Sequence, residues 1–85
     1  MVEFSHVIAT KEALHARPVA MIAACVMGHA SAVVISCCGN SVAGDDLMGL
    51  MGLPAHCGDE LTVTVEGPDE EVAAEELRQT LRDSA

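Results

Sequence analysis

The sequence has 85 residues, 51% of them hydrophobic, so it can form one small domain and leaves no room for a second. Residues 1–43 carry no net charge, whereas residues 44–85 hold eleven acidic residues against two arginines and account for the whole net charge of −9. Since no basic stripe is present, nucleic acid and anionic membranes are poor partners for this chain.

No signal-peptide pattern opens the chain, and no apolar run approaches the roughly 18 residues that a membrane-spanning helix needs. We therefore expect a cytoplasmic protein without membrane insertion. Phe4 is the only aromatic residue. A core must then be built from closely packed Val, Ile, Leu, Met, Ala and Cys side chains.

The first part of the chain predicts a strand and a helix. Residues 2–9 alternate weakly between apolar and polar and predict the strand, and residues 10–13 form a loop. Pro18 has a fixed φ and no N–H, which suits the first turn of a helix, so the helix should begin near Ala16 and run to about Met27. Gly28 is its expected stop. Its apolar stripe consists of Val19, Ile22, Ala23 and Val26.

The rest of the chain predicts a hairpin, a short helix, a strand and a terminal helix. Ala32–Cys37 and residues 41–43 form the hairpin, with a turn at Gly39-Asn40. Asp45 and Asp46 precede a helix at Leu47–Met51, of which Asp46 is the expected N-cap. Residues 61–65, which alternate without exception, form the last strand. The terminal helix runs from about residue 69 to residue 82. The order βαββαβα predicts an α+β open-faced β-sandwich with an antiparallel sheet.

The segment Leu14-His15-Ala16-Arg17-Pro18 predicts a reactive histidine at a helix start. With the helix beginning near Ala16, His15 lies at or near the N-cap, where unpaired backbone N–H groups and the positive end of the helix dipole favour a phosphate. Arg17 adds a guanidinium that matches phosphate oxygens. These groups can accept and pass on a phosphoryl group, although a capping histidine with a surface arginine is the simpler alternative.

Four cysteines, Cys25, Cys37, Cys38 and Cys57, raise the possibility of disulfides or a metal site. Cytosolic thiols stay reduced, and the adjacent Cys37 and Cys38 would point to opposite faces of a strand, so we expect no structural disulfide. A zinc site using His29 or His56 is a further possibility, but no C-x2-C pair exists, so we predict core or surface thiols and no metal. His6, His29 and His56 are interpreted as ordinary core or surface residues.

The segment LHARPVAMIAA resembles the active-site segment of HPr, the histidine-containing phosphocarrier of the bacterial sugar phosphotransferase system. DDLMGLMGL is similar to that family's short second helix and the segment after it, and GDELTVTVEGPDEEVAAEELRQTL to its last strand, turn and terminal helix. The resemblance covers the whole chain without gaps. It implies the HPr-like open-faced β-sandwich, with four antiparallel strands and the helices on one face.

The resemblance also implies roles for single residues. His15 would carry the phosphoryl group on Nδ1, Arg17 would stabilise it, and the backbone of Ala16 and Arg17 would donate to it beside Pro18. Leu47 and Met48, together with Met51, are similar to the exposed apolar residues that the family uses against partner proteins. The alternative is that they are plain core residues of a short helix, although exposed apolar patches on small monomers usually indicate contacts.

Three departures from the family pattern stand out. Asp46 replaces a serine that a kinase phosphorylates in the Gram-positive branch, so that regulatory site is expected to be absent. Ala24 and Met27 occupy turns where relatives carry basic residues, and Asp45 stands beside Asp46, so charge-steered docking to an acidic partner is in doubt. Pro54 replaces the usual glycine of the following loop, where the local backbone should differ.

We therefore expect a monomeric phosphocarrier that accepts a phosphoryl group from enzyme I and gives it to the enzyme IIA domains of sugar-specific enzyme II. It would be a phosphorylated intermediate rather than an enzyme, with no cofactor beyond the group on His15. One alternative is an HPr-like regulatory binding module acting on transcription factors or metabolic enzymes, with Asp46 standing in for phosphoserine. Another is a metal or redox protein using its cysteines. His15, Arg17 and Pro18 favour the carrier, because a pure regulator does not need them.

Overall fold

The computed structural model describes residues 1–9, 16–53 and 56–84, with the side chains of residues 16, 17 and 84 left out of the description. Pro54 therefore lies outside the described residues, and the backbone change expected there stays a prediction. The predicted element order is confirmed. The elements are β1 (Val2–Val7), α1 (Ala16–Met27), β2 (Ala32–Cys37), β3 (Asn40–Ala43), α2 (Leu47–Met51), β4 (Glu60–Glu66) and α3 (Glu70–Ser84).

The four strands form one antiparallel sheet in the order β1-β4-β2-β3. The strict alternation of β4 decides which face is covered, since Leu61, Val63 and Val65 are fully buried while Thr62 and Thr64 are only half-buried. Helices α1 and α3 pack against each other over the buried face. This confirms the open-faced sandwich, in which no helix of the described residues covers the other face of the sheet.

The core lies between the sheet and the inner stripes of the helices. The predicted stripe of α1 is fully or almost fully buried, and Leu77 and Leu81 of α3 meet it from the other helix. The expectation of a methionine-containing core is wrong, because all five methionines are exposed, by 41% to 82% of their surface. The helical period explains the positions of Met21 and Met27, since each neighbours a buried residue in sequence and so points to a different face.

The turn between β2 and β3 lies one residue earlier than predicted. Cys37 pairs with Asn40, so the two turn residues are Cys38 and Gly39, with φ of 55° and 83°. Two successive positive φ values are the mark of the hairpin turn that follows the twist of the strands, and glycine adopts such a φ without strain. Asn40 therefore begins β3 instead of turning the chain.

Helix α3 begins at Glu70, one residue after the predicted start, and the Asp69 carbonyl accepts the hydrogen bond of the Ala73 N–H at 2.9 Å. The Asp69 side chain contacts the segment before β2. Its carboxylate accepts hydrogen bonds from the Ser31 hydroxyl and the Ala30 N–H, while the Glu70 carboxylate accepts one from the Gly67 N–H at 3.2 Å. A Cβ at Gly67 would lie 2.6 Å from the Cα of Ser31, so only glycine permits this approach. The start of α3 is thereby tied to the segment that leads from α1 into β2.

None of the helices in the described parts of the chain is long and apolar enough to cross a membrane.

Candidate functional site

The amino end of α1 lies where the sequence predicts it. The helix begins at Ala16, directly after His15, and Pro18 is fully buried in its first turn. No acidic residue occupies this turn, so nothing on the helix itself neutralises the positive end of its dipole. Burial of Pro18 supports its role in setting the helix start and does not support a direct contact of its ring with a partner.

His15 itself and the side chain of Arg17 lie outside the described residues. The same holds for the side chain of Ala16. Their predicted roles, as phosphate acceptor for His15 and as phosphate stabiliser for Arg17, therefore stay predictions from the sequence.

Helices α1 and α2 present an exposed apolar surface next to each other. Leu47, Met48 and Met51 of α2 are exposed by 48%, 82% and 51%, which confirms that they are not core residues. We call the set the α1–α2 apolar surface; it consists of Met27, Leu47, Met48 and Met51, and Met27 and Leu47 line the same groove. Sequence analysis did not predict Met27 as part of this surface, although Met27 falls outside the buried stripe of the helical wheel, which is the signal that could have found it.

A shallow groove of about 510 Å³ runs through this surface. Most of the residues that line the groove have small side chains, and all are apolar, so another protein's side chains can approach the helix backbone closely. The lining residues are Ala20, Ala23, Ala24, Met27, Gly28 and Leu47. Several exposed large apolar residues beside a groove on so small a protein indicate a contact surface.

Asp46 holds α2 in place from its amino end. Its backbone is extended, with φ −91° and ψ 93°, and its carboxylate accepts a hydrogen bond from the Gly49 N–H at 3.0 Å. This confirms the predicted N-cap. Leu50, the single buried residue of this five-residue helix, anchors the other side. The Asp46 cap and the buried Leu50 together hold α2 in an orientation that leaves its other large apolar side chains exposed.

His29 occupies an ionic cluster that the sequence did not predict. Its Nδ1 lies 2.9 Å from Asp69 Oδ2, and its Nε2 lies 2.5 Å from Glu76 Oε2. Hydrogen bonding to Glu76, and then to Asp69, raises the pKa of His29 above its ordinary value. The pKa of Asp69 falls to about 2, mainly through the Ser31 hydroxyl, with smaller contributions from the Ala30 N–H and His29. His29 is therefore an ion-pair partner that joins the end of α1 to α3, a role that the sequence did not predict.

The other described histidines fit the simpler interpretation better. His56 is exposed, with its Nδ1 3.7 Å from Asp59, and His6 lies half-buried on β1. The two partners of His29 lie 40 and 47 residues away in the sequence, so no local sequence pattern could have predicted these contacts.

The cysteines form no disulfide, and all four lie in the described part of the chain. The expectation that Cys37 and Cys38 point apart is wrong, because their sulfur atoms are 3.3 Å from each other. The positive φ of Cys38 takes it out of the strand alternation and turns its side chain back. Burial, and then the hydrogen bond with Cys38, raises the pKa of Cys37 to about 11, which keeps this thiol protonated and unreactive.

Two groups of metal-ligating side chains result from this folding. One consists of Cys37, Cys38 and Asp59, and the other of Cys25, His29 and Glu76. In each group the ligand atoms all lie within 4.8 Å of one another.

The fold and the surface define a class: a small α+β open-faced sandwich whose helical layer carries exposed apolar side chains at α1 and α2. Comparison with known proteins then places the chain within that class. The family model described as the PTS HPr component phosphorylation site matches residues 2–83. The chain belongs to the HPr family of phosphocarrier proteins of the phosphotransferase system.

Individual relatives agree with this assignment. The chain is 33% identical over 81 residues to the phosphocarrier protein HPr of Borreliella burgdorferi, covering 95% of this chain and 94% of the relative. It is 31% identical to HPr of Mycoplasma capricolum, over all of this chain and 96% of the relative. Among solved structures, the histidine-containing phosphocarrier protein of a mycoplasma superposes with a TM-score of 0.93 at 28% identity, over 98% of this chain and 94% of that one.

Proposed function

We propose that this chain accepts a phosphoryl group on Nδ1 of His15 from phosphorylated enzyme I and passes it to the enzyme IIA domains of sugar-specific enzyme II. One observation carries the proposal. The family's phosphorylation-site model matches residues 2–83, and the LHARP segment leads directly into α1 at Ala16. The chain itself is then a phosphorylated intermediate that needs no further cofactor, not a turnover enzyme.

The transfer uses three groups at the start of α1. The ring proton of neutral His15 is carried by Nε2, so the lone pair of Nδ1 attacks phosphorus; a new N–P bond forms while the bond from phosphorus to the donor breaks, and the donor leaves with that bonding pair. The charge on the equatorial phosphoryl oxygens is stabilised by Arg17 and by the backbone N–H groups at the helix start. The absence of acidic residues from the first turn of α1 leaves this positive field intact.

Docking in this proposal uses the α1–α2 apolar surface. It flanks the helix that follows His15, so a partner seated on it can also reach the phosphoryl group. Between Ala20 and Met27, α1 carries no charged side chain, and α2 carries none. Association should therefore depend weakly on salt, because apolar burial rather than charge pairing drives it.

The test is phosphorylation by enzyme I with labelled phosphoenolpyruvate. Wild type should gain about one acid-labile phosphate per chain, and His15→Ala should gain none while staying folded, because truncating an N-cap side chain costs only about 0.5–2 kcal/mol. His56→Ala is the matched control, since His56 is an exposed histidine remote in sequence and should leave the label unchanged.

Label persisting in His15→Ala would overturn the assignment of the acceptor. A wild type that takes no label from any enzyme I would favour the regulatory binding module instead.

A further inference from the structure

On the side of α1 that faces α3, the chain brings three different metal-ligating groups together. Cys25 lies in the last turn of α1, His29 follows four residues later, and Glu76 faces them from α3. The Cys25 sulfur, a His29 ring nitrogen and a Glu76 carboxylate oxygen all lie within 4.8 Å of one another. Thiolate, imidazole and carboxylate are the three side-chain ligands that Zn²⁺ takes in proteins.

The His29 ring is already fixed in the orientation that a metal ligand requires. Its side chain is only 11% exposed, and Nδ1 lies 2.9 Å from Asp69, which leaves Nε2 facing Glu76. Asp69 is held in turn by the Ser31 hydroxyl and the Ala30 N–H. A carboxylate that receives the second ring N–H is the usual support of a zinc-bound histidine, because it fixes the tautomer and makes the other nitrogen more basic.

We propose that Cys25, His29 and Glu76 bind one divalent transition-metal ion of the Zn²⁺ class, with Asp69 orienting His29 from behind. The ion takes the place of the proton between His29 and Glu76, which now lie 2.5 Å apart. Ligand bonds of about 2.0–2.3 Å then require these two atoms to separate by roughly 1 Å. Binding also releases the thiol proton of Cys25, so the sulfur enters as thiolate.

Solvent access and charge both suit such an ion. Glu76 is 58% exposed, so its side chain can move outward, and a water molecule can complete a fourth position. Glu76 and Asp69 supply two carboxylates next to His29, and the chain as a whole has a net charge of −9, which favours a cation over an anion at this position.

The group at Cys37, Cys38 and Asp59 is the weaker candidate. Cys37 is buried with a pKa of about 11, and no histidine takes part. It serves better as the internal control, since it offers two thiols without the supporting shell.

The experiment is a Co²⁺ and Zn²⁺ titration of the untagged full chain with a phosphine reductant. Co²⁺ should bind one ion per chain and give the near-ultraviolet absorption of a cobalt–thiolate bond, and Zn²⁺ should displace it. Cys25→Ser should abolish the absorption, and Glu76→Gln, at an exposed position, should weaken binding about 10-fold or more. Cys38→Ser, the control, should bind like wild type.

Absence of stoichiometric uptake in wild type would overturn the proposal, as would absorption that survives Cys25→Ser or disappears in Cys38→Ser. Asp69→Asn tests whether Asp69 orients His29 without binding the metal itself. This substitution should weaken metal affinity by about 10–100-fold without removing the cobalt–thiolate absorption. The titration is independent of phosphoryl transfer, because His15→Ala should bind the metal as wild type does.

Discussion

The two flanks of α1, the side next to α2 and the side next to α3, carry different kinds of side chains. The flank beside α2 is apolar and exposed, with Met27 and Leu47 lining an open groove. The flank beside α3 is ionic and largely closed, with His29 held between Asp69 and Glu76. The comparison shows how an 85-residue chain with a net charge of −9 can keep an exposed surface without charged side chains on α2 or on residues 20–27 of α1, while His29, at the end of α1, pairs with carboxylates at the start of α3 and within it.

The largest effect on the rate of phosphoryl transfer should follow from a substitution at the start of α1, which precedes both flanks in the chain. Arg17→Ala should slow phosphoryl transfer by about 100-fold, because one preorganised charge on the transferring group is lost. The free energy of unfolding should change by no more than about 0.5 kcal/mol, as for an ordinary surface substitution. Transfer kinetics and a denaturation curve on the same sample decide the matter. An unchanged rate would return Arg17 to the role of a surface residue.

A charge placed on one flank and then on the other tests the comparison directly. Met48→Asp should slow transfer from enzyme I by about 30-fold, the loss of an interface contact worth about 2 kcal/mol. Val72→Asp is the matched control, because Val72 is an exposed apolar residue of α3, 58% exposed, away from the α1–α2 apolar surface. Equal slowing by both substitutions would contradict docking through the apolar flank.

Asp46 tests how the apolar flank is held in place. Asp46→Ala should lower the free energy of unfolding by about 0.5–2 kcal/mol, because the Gly49 N–H loses its acceptor, whereas Asp46→Ser should keep most of the cap. Thermal or denaturant melts of the three proteins measure this.

Asp46→Ser should also transfer faster than wild type, since it removes a charge of about −1 beside Leu47 and Met48. Wild type should resist the serine kinase that modifies relatives. Phosphorylation of wild type by that kinase, or an Asp46→Ser rate no higher than that of wild type, would contradict the corresponding half of this prediction.

Local patterns were enough to predict most of the fold. The alternation of β4, the Pro18 start of α1 and the Asp46 cap each depend on residues within a few positions of one another, and α1 and α2 match their predicted bounds. Features that depend on distant contacts were missed. Asp69 was predicted to begin α3, and it does adjoin the helix, but the hydrogen bonds that its carboxylate accepts from Ser31 and Ala30 were not predicted.

The features of the candidate site also fall into those that the sequence predicted and those that depend on distant contacts. The exposure of Leu47, Met48 and Met51 was implied by the family resemblance and is confirmed. The His29 contacts join segments 40 and 47 residues apart, which no local period reveals. The turn at Cys38 shifted by one residue because its hairpin register is decided by strand pairing across the sheet as well as by turn residues.

The smallest effect should be a pH dependence confined to the ionic flank. The pKa of His29 is raised above 6.5 in the folded chain, so its pairing stabilises the fold fully below pH 6.5 and is lost as pH rises through the folded value. The pKa of Asp69 is lowered from 3.8 to about 2, so its contribution is present above pH 3.8 and is lost as pH falls toward 2. The two contributions coexist between about pH 4 and 6.5.

Melting temperatures of chelator-treated wild type and His29→Gln should differ most in that window and converge above it. His6 and His56 are common to both proteins and cancel in the difference. A difference that stays constant from pH 5 to pH 9 would show that His29 acts by packing alone, and the ionic description of this flank would be wrong.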